Sequence, residues 1–468
     1  MQSPADILKD IWTSAGGDAP ALERVRLSGE EPQLPSSFRV AIAGQTTIAA
    51  AGLAAAEIWR LRSGQTQDVS VDMRHAVAEC RSERYLLLDD KPPPPAWDAI
   101  AGVYRTGDNR FVRCHTNFPH HRDAVCKVLG CEAERDKVQA ALMQWRDEDF
   151  ETAAYAAGGV VALMRSYDEW SALPQARALA ELPLLSIEKI GEAPPKPWPK
   201  GDRPLSGLRV LDLSRVIAGP VAGRTLAAHG ADVLLVSGPE LPAIPWLTID
   251  TGRGKLTTFI ELKSETGRAH LRELLRDADI FSQGYRPRAL AALGFAPEDA
   301  AQINPGIVYV TLSAYGHAGP WAERRGFDSL VQTTTGFNHA EGRAAGSRWP
   351  QGIAGADARS RHRLSDGVRR DDGQGASGPR RRQLARACVA GADRALALES
   401  RPARWRTEHP GSYGRRCTCC VHRERAIWLR HVEGGAPFGD AVEDAGAMEP
   451  SGNAARQSSG TVAGAKLT

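Results

Sequence analysis

The sequence predicts an α/β fold with a mostly parallel sheet flanked by helices, and three observations predict it. Short β-rich runs alternate with helical periods between about Pro204 and Gly342. A stiff extended segment, Pro194-Pro195-Lys196-Pro197-Trp198-Pro199, separates that region from a helix-rich N-terminal part. Beyond about Ala358 neither period persists and arginine becomes frequent. These shifts divide the chain into a leader (1–36), an α+β segment (37–200), an α/β half-domain (201–358) and an Arg-rich tail (359–468), which is expected to be poorly ordered.

The leader is polar and contains proline, so a first helix and a linker are expected there. An Ala-rich helix follows from Thr46 to Arg62, then the strand-like Val69-Ser70-Val71, then a helix through His75-Ala76-Val77. After the proline segment, Leu208 to Leu213 reads as a strand and Pro220 to Ala231 as a helix with proline in its first turn. Asp232 to Val236 is a buried-strand run, which completes a βαβ unit. Thr257 to Leu262 is a further strand, and Ser264 to Ala278 a helix whose Leu271, Leu274 and Leu275 share one face. Asp279-Ile280-Phe281 and Gly306 to Ser313 supply two more strands.

A chain of 468 residues can bury one large core or two ordinary ones, and its formal net charge of +3 singles out neither nucleic acid nor a membrane surface as partner. The N-terminus lacks a basic region followed by an apolar one, and the Ala-rich run Thr47 to Trp59 is short for a bilayer. A cytoplasmic location with reduced thiols is the expectation. Two Cys/His clusters invite a metal reading: Cys114-His115 with His120, His121, Cys126 and Cys131, and Cys417, Cys419 and Cys420 with His422. The first has neither paired Cys-x-x-Cys spacing nor a helical His pair, and the second lies in the Arg-rich tail, so no metal site is assigned.

Leu205 to Pro220, with Asp212-Leu213-Ser214-Arg215-Val216-Ile217-Ala218-Gly219-Pro220 at its centre, resembles the opening signature of the class III CoA-transferases, and Leu226 to Val233 continues it. The resemblance extends through Gly252-Arg253-Gly254-Lys255, Gln283-Gly284-Tyr285-Arg286-Pro287, Ser313 to Pro320 and Gly326-Phe327-Asp328. It implies a Rossmann-like half-domain whose loops grip coenzyme A. The matching positions are Val216, Ile217 and Ala218; Ile260, Glu261, Leu262 and Lys263; Gly284, Tyr285 and Arg286; and the pair Arg324 and Arg325. Guanidinium groups suit the CoA phosphates. Two departures from the pattern are Ser237-Gly238, where the family carries Glu-Arg, and Ala292, where it carries arginine.

The transferases of this family use an aspartate that is acylated and then carries CoA as an aspartyl thioester. The racemases of the same fold use a histidine just before the position matched by Asp328, and here that residue is Phe327. The resemblance therefore implies transfer rather than racemisation, with acyl-CoA and a carboxylic acid as partners, no permanently bound cofactor, and a homodimer.

The N-terminal segment resembles the other half of the same family. Arg60 to Gln65 and Asp68 to Val71 look like the helix, loop and strand that follow the nucleophile, and Leu173 to Pro183 looks like the C-terminal return. The nucleophile position in this first copy falls at Ile42, which cannot serve. In the second copy it falls on Arg359, with Asp357 the nearest carboxylate. Read one base out of frame with permitted codons, Arg359 to Gly375 becomes Asp-His-Ala-Thr-Gly-Tyr-Leu-Met-Ala-Phe-Gly-Ala-Met-Met-Ala-Lys, the expected nucleophile and apolar helix. The expectation is a tandem parent whose reading frame shifts near codon 358, leaving a CoA-transferase or, as alternatives, a CoA-binding protein without catalysis or an acyl-CoA racemase or isomerase of the same fold.

Overall fold

The computed structural model describes residues 2–95, 97–194, 196–346 and the backbone of 415–420. Twelve strands occur among them. In chain order they are β1 (Val25–Ser28), β2 (Val69–Asp72), β3 (Gly102–Arg105), β4 (Phe111–Cys114), β5 (Val161–Leu163), β6 (Leu185–Lys189), β7 (Arg209–Leu213), β8 (Asp232–Ser237), β9 (Lys255–Phe259), β10 (Ile280–Gln283), β11 (Val308–Ser313) and β12 (Arg415–Cys420). The principal sheet has the order β6-β12-β11-β10-β7-β8-β9. Its pairings are parallel except β12 with β6. The α/β class with a parallel sheet predicted from periodicity is the observed one.

Numbered by occurrence, the five strands β7 to β11 lie in the order 3-2-1-4-5, the doubly wound arrangement. Helix Ala218–Ala228 crosses from β7 to β8, and helix Glu265–Arg276 crosses from β9 to β10. The second is held at its start by Ser264, whose Oγ accepts the Gly267 N–H at 3.0 Å. Its Leu271 and Leu275 are fully buried against Leu211, Phe281, Phe295 and Tyr309. Burial of this kind contributes roughly 1.5–3 kcal/mol per leucine.

The N-terminal segment builds two smaller sheets, a parallel pair β1-β2 and an antiparallel β3-β4-β5. The leader thus does more than link, since it supplies β1 to a strand that lies 44 residues later. The predicted Ala-rich helix runs from Val40 to Ser63, longer than its alanine-rich centre, and ends at Gly64 with φ of 77°. At that length it is apolar enough to cross a membrane, but most of it is buried within the protein, with Ile48 and Leu53 at 0 % exposure. Strand β9 begins two residues earlier and ends three residues earlier than its pattern suggests. Lys255 is drawn in by a buried partner, and pairing stops where the Ile260 N–H bonds Ser237 O.

The two parts of the chain are tied across the proline segment. Arg62 donates to the backbone oxygens of Pro199, Pro204 and Ser206. The Glu341 carboxylate accepts the Ser37 N–H at 3.0 Å. Strand β5 packs on helix Asp328–Thr334 through Val160, Ala162 and Leu330. Of the predicted poorly ordered tail, only Arg415–Cys420 lies among the described residues, and its backbone forms the strand between β6 and β11. The rest of that tail lies outside them.

Candidate active-site cleft

Strands β7 and β10 are neighbours whose continuations leave in opposite directions, one to β8 and the other to β11. This is the switch point of the sheet, where a crevice opens beyond the strand ends. Two predicted groups of site residues flank it. Val216, Ile217 and Ala218 follow β7, and Gly284, Tyr285 and Arg286 follow β10. The loops are in close approach: a side chain at Gly284 would meet the Ser214 Cβ at 3.6 Å.

The first loop is shaped by unusual backbone. Val216 has φ of 72°, a left-handed conformation that is rare for a β-branched residue and marks local strain. Gly219 is required because a Cβ there would stand 2.3 Å from the Ser214 Cβ. Ile217 begins helix Ala218–Ala228 with no side-chain cap, so its first-turn N–H groups stay available to an anionic or polar ligand. Below the loop, Asp212 and Lys255 form an ion pair at 2.8 Å with both side chains at 0 % exposure. The Lys255 Nζ also donates to Pro220 O at 2.7 Å, and the Ser214 N–H donates to Asp212 at 3.1 Å. The pair pins the loop, the helix and β9 together.

The third predicted group follows β9. Ile260 is buried, Glu261 accepts the Lys263 N–H at 2.8 Å, and Lys263 is exposed with Leu262 half-buried. The arginine pair divides. Arg324 lies over Tyr155 at 3.8 Å and Trp321 at 4.0 Å and pairs with Glu151 at 3.3 Å, so its charge is neutralised inside the protein. Arg325 has no carboxylate partner among the described residues, and Arg286 beside it disfavours its charge after burial does. Asp357 and Arg359 lie outside the described residues.

One set of residues here was not predicted as site. Phe327 stacks on His115 at 3.9 Å and 13°. Phe118 lies 5.9 Å from Phe327, 5.7 Å from His121 and 6.0 Å from His120, with the Arg215 guanidinium 5.0 Å over its ring. Burial, then Arg113 and His121, pushes His115 down to about 3. Burial, then His120, Arg325 and Arg215, pushes His121 to about 3 as well. Both rings are neutral at ordinary pH. The sequence signal was the histidine run, which reads as a metal cluster only when its distance from Phe327 is unknown. Among the described residues no group of three such side chains is placed to hold a metal.

A second wall comes from the N-terminal segment. Glu79, Cys80, Ser82 and Glu83 line a narrow cleft with Ile217, Val221 and Asp250. It is cemented by Arg224, which pairs with Glu79 at 2.6 Å and Asp250 at 2.8 Å, while the Ser82 hydroxyl donates to Asp250 at 2.7 Å.

Residues 205–360 match the sequence profile described as CoA-transferase family III. A succinate–glutarate CoA-transferase of Agrobacterium fabrum is 35% identical over 34% of this chain and 44% of its own. An acyl-CoA transferase of Gibberella moniliformis is 25% identical over 72% of this chain and 66% of its own. A solved CAIB/BAIF family protein from Brucella suis is 31% identical over 33% of this chain and 44% of its own, with a TM-score of 0.29. The chain thus spans less than two-thirds of the length of these relatives. Signature, strand order and profile agree on the half-domain, and residues 205–360 are similar to CoA-transferase family III.

Proposed function

We propose that the crevice between the ends of β7 and β10 binds a CoA thioester, and that the chain is built to move CoA between carboxylic acids. The observation that carries this reading is the meeting of residues 216–218 and 284–286 at the switch point of a 3-2-1-4-5 sheet. The uncapped first turn at Ile217 offers N–H donors, while Arg286, Arg325 and Lys263 supply cations for the phosphates. The names of the relatives support the activity. In the cell we expect a cytoplasmic homodimer.

In the proposed reaction an aspartate carboxylate attacks the thioester carbonyl and expels CoA thiolate, giving a mixed anhydride. The thiolate then attacks the aspartyl carbonyl of that anhydride and releases the donor carboxylate, leaving an aspartyl-CoA thioester. An acceptor carboxylate runs the two steps in reverse and leaves as its CoA thioester. The site residues supply orientation, and walls such as the half-buried Phe327 and the buried His115 keep water from the anhydride.

The nucleophile position at Arg359 favours a second reading, in which this chain binds CoA without turnover and its frame shifts near codon 358. The end of the family match at residue 360 supports it. Incubation with acyl-CoA and hydroxylamine, followed by peptide mass spectrometry, separates the two. A hydroxamate on Asp357 supports transfer; CoA binding without modification supports the non-catalytic reading; absence of CoA binding defeats both. Sequencing across codons 351–375 tests the frame, and an intact frame confirmed by tail peptides overturns the shift.

A further inference from the structure

Helix Pro119–Leu129 ends in a turn that folds the chain back onto a cysteine of its last turn. Gly130 takes the left-handed conformation, with φ of 63°, and its N–H donates to Cys126 O. The Cys131 N–H donates to the same oxygen at 3.2 Å. In a helix end stopped this way, the residue after the glycine packs against the residue four before it. Here both are cysteines, half-buried against the cluster that holds Val125, Val138 and Leu142, and both are free thiols. The covalent geometry at each end of the 3.2 Å hydrogen bond keeps the two Cα atoms within about 6.5 Å. A disulfide spans about 4.4–6.8 Å between Cα atoms, so the turn needs little movement to accept one.

We propose that Cys126 and Cys131 form a reversible disulfide by exchange with a low-molecular-weight disulfide such as oxidised glutathione. One thiolate of the pair attacks a sulfur of that disulfide and expels a first small thiolate, leaving a mixed disulfide. The other then attacks the protein sulfur of the mixed disulfide and expels the second. The protein thiols lose two electrons and two protons, and one small disulfide becomes two thiols. Burial, then the facing Cys131 and the Asp123 and Asp98 carboxylates, hold the Cys126 thiol above its usual range against Arg122. Burial, then Glu132, does the same to Cys131 against Lys137. Thiolates are therefore scarce at neutral pH, and the pair follows a sustained redox poise rather than a brief pulse of oxidant. Cys114, which also packs in this cluster, has 0 % exposure, and burial, then Cys126, pushes its thiol up to about 12, so it is closed to the oxidant. The bridge ties the helix that carries His120 and His121 to the chain entering helix Arg135–Leu142. Its formation does not depend on the CoA reading above.

The full chain equilibrated in glutathione redox buffers, then alkylated and cut with trypsin, reads the bond directly. Trypsin cuts after Lys127, so the oxidised form leaves peptides 123–127 and 128–135 joined. Native protein should form this link with an equilibrium constant at least about tenfold larger than the same chain in urea, where the turn no longer holds the thiols. Gly130→Ala should lower the native constant about threefold or more, because nothing lies within 4 Å of a Cβ there and only the left-handed backbone resists it. Cys126→Ser and Cys131→Ser should each leave the other cysteine as a mixed disulfide with glutathione. Equal constants in the native and unfolded chains overturn the proposal, whether or not Gly130→Ala folds. So does a native link from either cysteine to Cys114, or glutathione on both Cys126 and Cys131 with no link between them.

Discussion

Arg224 Nη2 lies 2.6 Å from the Glu79 carboxylate, across 145 residues of sequence, with both side chains at most 3 % exposed. The guanidinium also meets Asp250 at 2.8 Å, so one cation on the helix after β7 joins the N-terminal segment to the half-domain. Arg224→Met should strand these carboxylates and cost about 3 kcal/mol in urea denaturation. A loss below about 1 kcal/mol would mean that the network carries no net coupling between the segments.

The same contact sets a pH dependence. Burial, and then the neighbouring Asp250, pushes Glu79 up to about 8 against the pull of Arg224. The folded protein therefore holds a proton that the unfolded chain releases near 4.5. This contribution to stability is fully present below pH 4.5 and is lost as pH rises through about 8, with a slope of at most about 1.4 kcal/mol per pH unit. Glu79→Gln, neutral throughout, should flatten that limb of the stability profile relative to wild type.

His115 acts in the opposite direction. Its folded pKa of about 3 lies below the unfolded 6.5, so its contribution is present above pH 6.5 and declines as pH falls toward 3. His115→Phe should keep the stack on Phe327 and shallow the acid limb by about 1.4 kcal/mol per pH unit. Thermal melts between pH 5 and 7 measure it; an unchanged limb would show that another group titrates there.

Gly223 borders the buried pair under the cleft. A Cβ at this position would stand 2.3 Å from Asp212 Oδ2 and 2.8 Å from Lys255 Nζ. Gly223→Ala should cost about 1–3 kcal/mol through overpacking, and Lys255→Met about 3–5 kcal/mol by leaving Asp212 buried and unpaired. Chemical denaturation reads both. If Gly223→Ala proved neutral, the helix after β7 would have to slide freely over the pair.

Much of the half-domain was legible because its signals are local. The pattern from Leu208 to Val236 carries strand, glycine-proline turn, helix and strand in one stretch, and the sheet twist leaves a right-handed crossover as its favoured assembly. The residues at Val216 and Gly284 could be assigned to loops for the same reason. The division between Arg324 and Arg325 could not, because it depends on Glu151, Tyr155 and Trp321 arriving from distant segments.

By itself, the sequence determined the parallel α/β class and the loops that end β7 and β10, since these follow from period, turn chemistry and a signature contained within short stretches. Only the tertiary structure decided that residues 37–200 furnish a wall of the narrow cleft beside Ile217, that Arg224 meets Glu79 and Asp250, and that Phe118 gathers Arg215 and two histidines. The physical reason is range. Backbone preference acts over a few residues, whereas a buried charge or an aromatic stack is fixed by packing between elements separated by a hundred residues or more, and no local pattern encodes that partner.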